Sequence, residues 1–554
     1  MTLRRAYDMA ITKEQLKKLR DLKQSLEGKR QSEKGTTWES LKRYVLPELL
    51  EPSERDKARH YSTTAQRYTT LASNALQGWA YGRTISWLNI EREVHDADEE
   101  ESSKEERQWL QQCRQIMLND LSRADFYDES LAFTEVVLNL STGIMLLDWD
   151  EANDSFVVEN ISPDRCVIAQ DKFHHVNLCM YEFKLNKDQA EDMFGDDCPD
   201  KIKNSHGYEQ DYTFVKAMLS SERYDIDIAG EGEWLEVIWS EDERDKALVE
   251  RRTTHKPFIC WRFERSLTGS PWGCNSPGER CLADIISLNV MEKAKTKGIQ
   301  LRLDPPIKAT EGLALNIVPA GVTRVKNSQD YAYMAPPGNS EEVLLEIQRK
   351  EANLKEAYYV DFFLMLQQTL EQNKTATEAT LLADEKSQIM SSFTSRLNNE
   401  FLEPILETLW DMELKHGRLP EPPQSIMGRD IRIDYVSPLA IAQRKAQIYV
   451  PARQFIAETL SFAELDSSVK YIFRIPEYAT AMAKDMMIDE RFLNSTEEIE
   501  EKVQQEQQMA LQQLQMQNQN ETAKTNAQVY NSLSKAPEQG SAVSQLTGGS
   551  SSGK

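Results

Sequence analysis

The stretch that decides the fold runs from Asn373 to Pro423 and reads NKTATEATLLADEKSQIMSSFTSRLNNEFLEPILETLWDMELKHGRLPEPP. Thr375 and Glu378 have the spacing of a capping box, in which the hydroxyl and the carboxylate satisfy free amides of a first helical turn, so a helix is predicted to begin there. Some 40 residues rising about 1.5 Å each predict a rod of roughly 60 Å, which Pro404 is expected to kink. Apolar residues recur every four positions, as along one helix face, at Ile389, Phe393, Leu397, Phe401, Ile405 and Leu409.

Length and composition predict a multidomain protein. At 554 residues, 40% of them apolar, the chain can form roughly three or four cores. No run of 18 apolar residues exists, so no membrane partner is expected. Residues 1–13 are charged and lack the apolar segment of a signal peptide, which predicts a protein made in, and retained by, the cytoplasm. Seven cysteines without a CxxC pair indicate free thiols.

The net charge of −24, from 66 basic and 90 acidic residues, restricts the function. A protein that grips DNA gains its affinity by neutralising phosphates, so such a strong acidic excess argues against that class. It does not exclude a protein that lets DNA pass, because a wall that repels phosphate prevents sticking. The same charge also fits an ordinary solvated, self-repelling surface.

The spacing of the apolar residues divides the first half of the chain into a helical part and a β-rich part. Up to residue 140 it predicts mainly helices, over 13–26, 38–45, 65–79 and 105–121, with an acidic exposed loop over 91–107. From 143 to 263 it predicts strands. These are a hairpin of 144–149 and 156–158 around Asn153-Asp154, followed by 234–239 and 258–263.

The second half begins with a turn-rich bend, Trp272–Gly278, that leads into a helix from Cys281. Asp304-Pro305-Pro306 must end this helix. The Pro- and Gly-rich residues up to 338 hold short strand-like pieces at 321–325 and 331–334, and a returning helix is predicted from 340 to about 370. The sequence therefore predicts a helix, a small β insertion and a second helix that runs back.

Beyond the long rod, Ile431, Ile433 and Tyr435 alternate with polar residues and predict one strand. Ser437-Pro438 then supplies an N-cap and a first-turn proline for helices that continue to about residue 489. Ser495 and Glu498 open one more helical pattern. It passes into the Gln-rich segment 504–520, for which a partly ordered helix and a disordered tail are both open, and residues 521–554 are predicted to be flexible.

Candidate catalytic and metal-binding residues are few. His174, His175 and Cys179 match no zinc spacing, so no metal site is predicted there. The carboxylate pairs of a metal-dependent nuclease would be Asp148/Asp150 and Asp225/Asp227, but alternation along a strand places each pair on one, solvent-facing side. The Walker A near-match of Gly548, Gly553 and Lys554 lacks the Ser or Thr that ligates magnesium. No cofactor is predicted.

Several of these motifs together resemble the portal protein, or head-to-tail connector, of short-tailed bacteriophages. They are the Thr375–Glu378 segment, the Gly417–Pro423 exit, Trp38–Tyr44, residues 65–87 and the Tyr435–Ala440 string. The resemblance implies a mainly α, α+β fold with β-rich insertions that forms a ring. Its parts would be a wing at 1–280, stem helices at 281–303 and 339–366, a clip at 304–338, a tunnel loop at 367–375, a long kinked helix with a wing strand at 376–436, a crown at 437–493 and a Gln-rich then flexible tail at 494–554.

The resemblance also implies a function that is not enzymatic. A ring of usually twelve copies at one capsid vertex of the virion would work with capsid and scaffolding proteins and pass double-stranded DNA. It would dock the terminase through the clip, at Asp304, Pro305 and Pro306, and later tail adaptor proteins. The tunnel loop, with Gln372, Asn373, Lys374 and Thr375, would project into the DNA channel. Lys374 is equally well an ordinary loop lysine.

Three lysines near the end of the first stem helix, Lys293, Lys295 and Lys297, have two interpretations. They either complement the negative end of the helix dipole, which is favoured on energetic grounds, or line the channel as a basic ring. Two other classes of function also stay open. A metal-dependent nuclease would show magnesium-dependent cleavage, and a tail adaptor or other ring component would lack the helix–clip–helix hairpin.

Overall fold

The computed structural model describes residues 11–55, 60–83, 87–92, 104–205, 210–224, 226, 228, 230–242, 246–309, 331–333, 340–361, 395–427, 431–435 and 496–533, with isolated residues between 311 and 329 and between 452 and 494. The chain divides into two compact units, Met1–Ile475 and Pro476–Lys554. In the described residues no helix is both long enough and apolar enough to span a bilayer. Helices and antiparallel sheets are mixed throughout the first unit, which confirms the α+β class.

The described helices are α1 Lys13–Arg30, α2 Thr36–Tyr44, α3 Pro52–Arg55, α4 Thr64–Ala80, α5 Lys104–Arg123, α6 Phe126–Leu140, α7 Lys187–Phe194, α8 Asp200–Lys203, α9 Ser221–Tyr224, α10 Pro277–Leu303, α11 Ser340–Ala357, α12 Glu403–Lys415 and α13 Thr496–Leu533. Short π-helices span Gln31–Gly35 and Asn398–Leu402, and 3₁₀ turns span Pro47–Leu49, Pro163–Arg165 and Gly195–Asp197.

The described strands are β1 Leu88–Arg92, β2 Thr142–Asp150, β3 Ser155–Ile161, β4 Cys166–Gln170, β5 Val176–Leu185, β6 Tyr212–Ser220, β7 Trp234–Ser240, β8 Ala247–Thr253, β9 Phe258–Arg262, β10 Glu264–Arg265, β11 Gly273–Cys274, β12 Ile307–Ala309, β13 Tyr331–Tyr333 and β14 Ile431–Tyr435. They form a three-stranded sheet β3-β2-β9, a five-stranded sheet β4-β5-β6-β7-β8 and the pairs β1-β14, β10-β11 and β12-β13.

The largest core lies between the three-stranded sheet and helices α2, α4, α5, α6 and α12. Phe401 is at its centre. Its ring stacks on Trp261 at 5.6 Å between centroids and contacts Phe133 at 4.9 Å. The rod residues Leu397, Phe401, Ile405 and Leu409 are all buried, which confirms the predicted apolar stripe for its described part; Ile389 and Phe393 lie outside the described residues.

The five-stranded sheet is covered on both faces. Helix α1, which begins with a capping box of Thr12 and Gln15, packs Leu16 and Leu19 on one face. The other face meets the largest core and, near Phe214, the short helices α7 and α8. This sheet therefore joins the N-terminal helix to the body of the first unit.

The β-hairpin around Asn153-Asp154 is confirmed, with Leu147 opposite Val158. Strands at 234–239 and 258–263 and the lone strand from Ile431 are confirmed as well, the last as the partner of β1. The early helices also agree to within a few residues. Alternating apolar patterns identify these elements because each has one face on a core.

The prediction of an exposed loop over residues 91–107 is wrong at both ends. Glu91 and Arg92 belong to strand β1, and residues 104–107 form the first turn of α5. Arg92 Nη1 lies 3.6 Å from Glu106 Oε2, and both side chains are buried. A pair of opposite charges that neutralise each other can be buried. The many acidic residues of this segment therefore led to a wrong prediction that all of it is exposed.

The predicted limits of the two hairpin helices need correction. Helix α10 begins at Pro277 rather than at residue 281, because Ser276 is its N-cap and Pro277 occupies the first turn. Helix α11 ends at Ala357 rather than near 366 or 370. Tyr359 there adopts a left-handed backbone with φ of 55°, which an α-helix cannot accommodate.

The rod changes its hydrogen bonding where Pro404 was expected to kink it. A π-helix spans Asn398–Leu402, and α12 begins at Glu403. Proline has no amide hydrogen, so the ladder of a regular helix cannot continue through this point. Residues 362–394, and with them Thr375, Glu378 and the predicted length of the rod, lie outside the described residues.

The second unit contains α13, a helix of 38 residues that includes the whole Gln-rich segment. The prediction of a flexible tail is wrong for residues 521–533, which continue this helix. Gln, Ala, Glu and Lys are good helix formers even without a buried face, which explains the extension. Residues 534–554 and nearly all of the predicted crown segment lie outside the described residues.

Candidate functional site

Helices α10 and α11 pack together as a hairpin with a small β pair at its tip. Strand β12 follows α10, β13 precedes α11, and Ile307 pairs with Tyr333. The two helices are joined where Lys350 Nζ lies 2.8 Å from Asp284 Oδ1. The hydrogen bond from Lys350 lowers the pKa of Asp284. The arrangement is the helix, β insertion and returning helix that the sequence predicted.

The base of the hairpin is anchored in the body through Asn139, a buried residue of α6. The Tyr358 hydroxyl donates to Asn139 Oδ1 at 2.6 Å, and the Ser276 hydroxyl donates to the Asn139 carbonyl oxygen at 2.9 Å. Asn139 Nδ2 in turn donates to Thr69 Oγ1 at 3.2 Å. The starting point of α10 and the end of α11 are therefore fixed by one buried polar residue.

Gly278 is also required at this junction. A Cβ atom at Gly278 would lie 2.7 Å from Asn139 Oδ1 and 2.8 Å from its Cα, whereas one at Gly298 on the same helix would meet nothing within 4 Å. A close approach between α10 and the backbone of α6 thus needs a residue without a side chain.

The Gly278→Ala substitution is expected to destabilise the protein by about 1 to 3 kcal/mol, because the added methyl group must displace Asn139. The matched Gly298→Ala substitution is expected to stabilise it by about 0.5 to 1 kcal/mol through helix propensity. Urea denaturation followed by tryptophan fluorescence measures both. Equal midpoints for the two variants would contradict the close approach.

The outer half of the hairpin exposes an unusual number of large apolar side chains. We call this set the outer apolar face; it consists of Val290, Ile299, Leu301 and Leu303 on α10 and Val343, Leu344 and Leu345 on α11. Leu303 is 82% exposed and Leu345 66% exposed. Large exposed apolar side chains concentrated on one part of a protein often mark a protein–protein contact.

Of the three predicted lysines on α10, Lys293 and Lys297 are exposed and Lys295 is half-buried, and each has different neighbours. Lys293 Nζ lies 5.4 Å from the centre of the Tyr61 ring, Lys295 pairs with Glu292 at 3.0 Å, and Lys297 is exposed. The helix-dipole interpretation is wrong, because α10 continues to Leu303 and only Arg302 lies in its last turn. The basic-ring interpretation stays a prediction.

The other predicted site residues divide between described and undescribed parts. Asp304, Pro305 and Pro306 lie between α10 and β12, with Asp304 and Pro306 exposed. Gln372, Asn373 and Lys374 lie outside the described residues, as do Asp225 and Asp227. The structure therefore describes Asp304, Pro305 and Pro306 but not the segment that contains Lys374, and the predicted roles of both stay predictions.

The carboxylate proposed for a nuclease is engaged in ion pairs. Asp148 Oδ1 lies 2.8 Å from Arg251 Nη2, and its other oxygen lies 3.5 Å from Lys216 Nζ. Burial alone would raise the pKa of Asp148, but these two cations lower it. Within the described ranges no three His, Cys, Asp or Glu side chains are grouped to hold a metal ion.

A comparison of the whole chain with known protein families gives a match. A family model described as "Bacteriophage head to tail connecting protein" matches residues 16–493. The chain belongs to this family. The resemblance found in the Thr375–Glu378 and Gly417–Pro423 motifs is therefore confirmed.

Two relatives of this head-to-tail connecting protein carry related descriptions. A "Probable portal protein" of Bordetella phage BPP-1 is 24% identical over 441 residues, which cover 74% of this chain and 76% of the relative. A "Portal protein" of Salmonella phage epsilon15 is 29% identical over 211 residues, 36% of this chain and 37% of that protein. The first similarity includes most of both chains.

Sequence reasoning missed the junction at Ser276, Gly278 and Asn139. The signal for Ser276 was available, because Ser276-Pro277 is the same N-cap and first-turn proline combination that was used at Ser437-Pro438. Nothing local marks Asn139: apart from the Glu135 carbonyl oxygen one turn earlier, its partners are 70 to 219 residues away in the chain.

Proposed function

We propose that this protein is a phage portal subunit that assembles into a ring at a capsid vertex and surrounds the path of double-stranded DNA. Membership of the head-to-tail connecting family supports this function. The single structural observation that carries the ring is the outer apolar face, which one copy of the chain leaves uncovered. A neighbouring copy related by rotation covers it.

The parts of the subunit follow from this assignment. Helices α10 and α11 form the stem, β12 and β13 belong to the clip, and the body with the two larger sheets is the wing. The clip, with Asp304, Pro305 and Pro306, docks the terminase and then the tail proteins. Residues 437–493 form the crown. Capsid and scaffolding proteins contact the outside of the ring.

The DNA channel is assigned to the tunnel loop and to the inner side of the stem. Lys374 touches phosphate transiently, since an exposed lysine–phosphate contact is weak enough to break as DNA moves. Lys293, Lys295 and Lys297 are candidates for a basic ring on the stem. An acidic protein with a few such cations passes DNA without holding it.

The other two functions are less well supported. A tail adaptor would not need the hairpin that α10 and α11 form, and a nuclease would need carboxylates that are free to bind metal. Asp148 is instead paired with Lys216 and Arg251. Subunits that cut DNA in the presence of magnesium would reverse this preference.

The outer apolar face gives a direct test of the ring. In the Leu303→Ser/Leu345→Ser double variant we expect the subunit concentration at half-assembly to rise more than tenfold, because each buried leucine contributes about 1.5 to 3 kcal/mol. Light scattering and negative-stain images measure the ring fraction. The control is Met193→Ser, which removes a half-exposed apolar side chain from α7, away from the hairpin.

The dependence of assembly on salt concentration is a second test of the ring. At −24 charges per copy, assembly is expected to improve as ionic strength screens the repulsion between subunits. A parent protein that stays a 63.7 kDa monomer at micromolar concentration in every salt condition would contradict the proposed function.

A further inference from the structure

Two neighbouring turns on the body form a surface that the hairpin does not explain. One is the turn between β4 and β5, residues 171–175, and the other is the turn between β10 and β11, residues 266–270; together we call them the paired turns. Gln170 Nε2 donates to the Gly269 carbonyl oxygen at 3.0 Å and joins them. They lie about one hundred residues apart in the chain and form one surface.

The first turn is held rigidly by its own backbone. Asp171 Oδ1 accepts from the amides of Phe173 and His175, both at 2.8 Å, and the Asp171 amide donates to the His175 carbonyl oxygen at 2.9 Å. His174 has a positive φ of 69°, and its carbonyl oxygen accepts from Arg262 Nη2 at 3.0 Å. The buried Arg262 thus supports this turn from below.

The second turn is held in a similar way. Ser266 Oγ lies 2.7 Å from Thr268 Oγ1 and accepts from the Thr268 amide at 3.2 Å. Gly269 supplies the left-handed conformation that closes the turn, with φ of 79°. Neither turn uses the side chain of its central apolar residue for its own shape.

Each turn projects one large apolar side chain into solvent. Phe173 is 63% exposed, and Leu267 is fully exposed. Lys172 Nζ lies 4.8 Å from the centre of the Phe173 ring. Arg223, which donates to the Gln170 carbonyl oxygen, adds a second cation at this surface, whereas Arg265 is paired with Glu400 and Ser270 donates to Glu33. Apolar anchors on preorganised turns with cations around them are typical of a docking surface.

A second copy of this chain fits the charge of the paired turns. Copies with −24 charges repel each other, so a contact between them is favoured where one copy presents cations. Helix α12 presents the matching surface. Its outward stripe has Glu403, Glu407 and Asp411 one helical turn apart, followed by Leu414, which is half exposed.

The negative charges of this stripe are not neutralised by ion pairs within one copy. For Glu403, Glu407 and Asp411 no ion pair is present among the residues that the structure describes. Partial burial and the like charges of Glu403 and Asp411 raise the pKa of Glu407. A cation brought by a neighbour would relieve this repulsion.

We infer that the paired turns of one subunit dock on the acidic stripe of α12 in the next subunit, with Phe173 and Leu267 against Leu414 and Lys172 facing Glu407. This inference rests on the proposed ring. It adds a second contact between subunits, which lies on the body rather than on the hairpin. A contact between two different surfaces is the kind that builds closed rings.

Crosslinking between separate copies tests the contact directly. Subunits with Leu267→Cys are mixed with subunits with Glu407→Cys, assembled into rings and treated with a short bifunctional maleimide. We expect a crosslinked dimer, with residues 267 and 407 identified by mass spectrometry, only in the mixture. Each variant alone and the parent are the controls for the native cysteines, of which Cys274 is the least buried.

Charge reversal tests the pairing by an independent measurement. Lys172→Glu and Glu407→Lys are each expected to raise the subunit concentration at half-assembly about fivefold, the effect of one exposed charge pair. Because every copy carries both surfaces, the Lys172→Glu/Glu407→Lys double variant is expected to return to the parent value. If the half-assembly concentration of the double variant instead shows the sum of the two single effects, the pairing is contradicted.

The outcomes separate this inference from the proposed function. Rings that form without a 267–407 crosslink, and that tolerate Phe173→Ser/Leu267→Ser, overturn the docking and leave the portal assignment intact. A parent that never forms rings overturns both. Loss of rings in the Phe173→Ser/Leu267→Ser variant, with unchanged urea midpoint and with the crosslink present in the mixture, establishes the contact.

Discussion

The Glu400→Gln substitution is expected to destabilise the protein by about 3 to 5 kcal/mol, the cost of removing one partner from a buried ion pair. Glu400 lies in the π-helix that precedes α12 and is buried together with Arg262. Its Oε1 lies 2.7 Å from Arg262 Nη2 and 3.0 Å from Arg265 Nε, and its Oε2 accepts from the Arg262 amide at 2.9 Å. Glutamine would leave a buried guanidinium without its counter-charge.

The effect is expected to be large because Arg262 joins three parts of the body. Besides Glu400, Arg262 donates to Gln170 Oε1 at 3.1 Å and to the His174 carbonyl oxygen. The π-helix, strand β9 and the first of the paired turns are therefore held by one side chain. Weakening of the Glu400 contact is expected to loosen the turn as well, which hydrogen exchange at residues 171–175 measures.

The control for this prediction is Glu403→Gln, three residues further along the chain, which is expected to change stability by less than about 0.5 kcal/mol because its side chain is exposed. The urea midpoint at neutral pH compares the two variants. If Glu400→Gln behaves like Glu403→Gln, the ion pair contributes nothing and the assignment of Glu400 as a structural anchor is wrong.

The pH dependence of the same pair has a definite sign. Burial alone would raise the pKa of Glu400, but the hydrogen bonds and charge of Arg262 outweigh it and lower the pKa below its ordinary value of 4.5. A lowered pKa stabilises the folded state above about pH 4.5, and this stabilisation is lost as the pH falls through the folded-state pKa. The difference between parent and Glu400→Gln should therefore shrink below pH 4.5.

The rod illustrates how far the sequence predicts this fold. Leu397, Phe401, Ile405 and Leu409 were recognised as a core stripe because a helix places every fourth residue on nearly the same side. Pro404 indicated a break in the rod, but no residue type indicates that the turn before it forms a π-helix. Glu400 reads as an exposed polar position, and only Arg262, 138 residues away, explains why it is buried.

The sequence predicts the hairpin of the candidate site but not which of its side chains are exposed, because exposure depends on residues that are distant in the chain. The prolines Pro305 and Pro306 fix where α10 must end, so the hairpin could be inferred from local chemistry. The exposure of Leu303 and Leu345 could not, because whether an apolar residue of an amphipathic helix is covered depends on its neighbours in space. The paired turns are likewise assembled from distant segments.

A second large effect is expected at the other end of α12, where Glu413 is fully buried beside Asp120 and Arg418. Arg418 Nη2 lies 2.9 Å from Asp120 Oδ1, and Arg418 Nε lies 3.1 Å from Glu413 Oε2. The other oxygen, Glu413 Oε1, is buried with no hydrogen-bond partner among the residues described. Asp120 also has Arg123 Nη1 at 3.4 Å, whereas Glu413 has, in the described part of the chain, only Arg418, which it shares with Asp120 and Asp154, so Glu413 should carry a proton.

The protonated group is Glu413. Burial, and then the neighbouring Asp120, raise the pKa of Glu413 from 4.5 to about 8, and Arg418 lowers it only in part. An acid whose pKa is raised on folding costs nothing below about pH 4.5, where it is protonated in both states. Its cost grows as the pH rises towards 8, because the unfolded chain releases the proton first.

The Glu413→Gln substitution is therefore expected to stabilise the protein at pH 8 and to leave it unchanged at pH 4.5. Glutamine keeps an oxygen for Arg418 and removes the charge that burial disfavours. Because the pKa of Glu413 is raised by folding, the gain is expected to grow with pH and to be on the order of a few kcal/mol at pH 8.

Urea midpoints between pH 4.5 and 8, read from the fluorescence of the nearby tryptophans, measure this prediction. The parent should lose stability relative to Glu413→Gln across that range, while Glu403→Gln on the same helix should follow the parent. Parallel profiles for parent and Glu413→Gln would mean that Glu413 is ionised in the folded protein and that Arg418 compensates both carboxylates. A profile that diverges with rising pH would show that the end of α12 is held by a neutral acid.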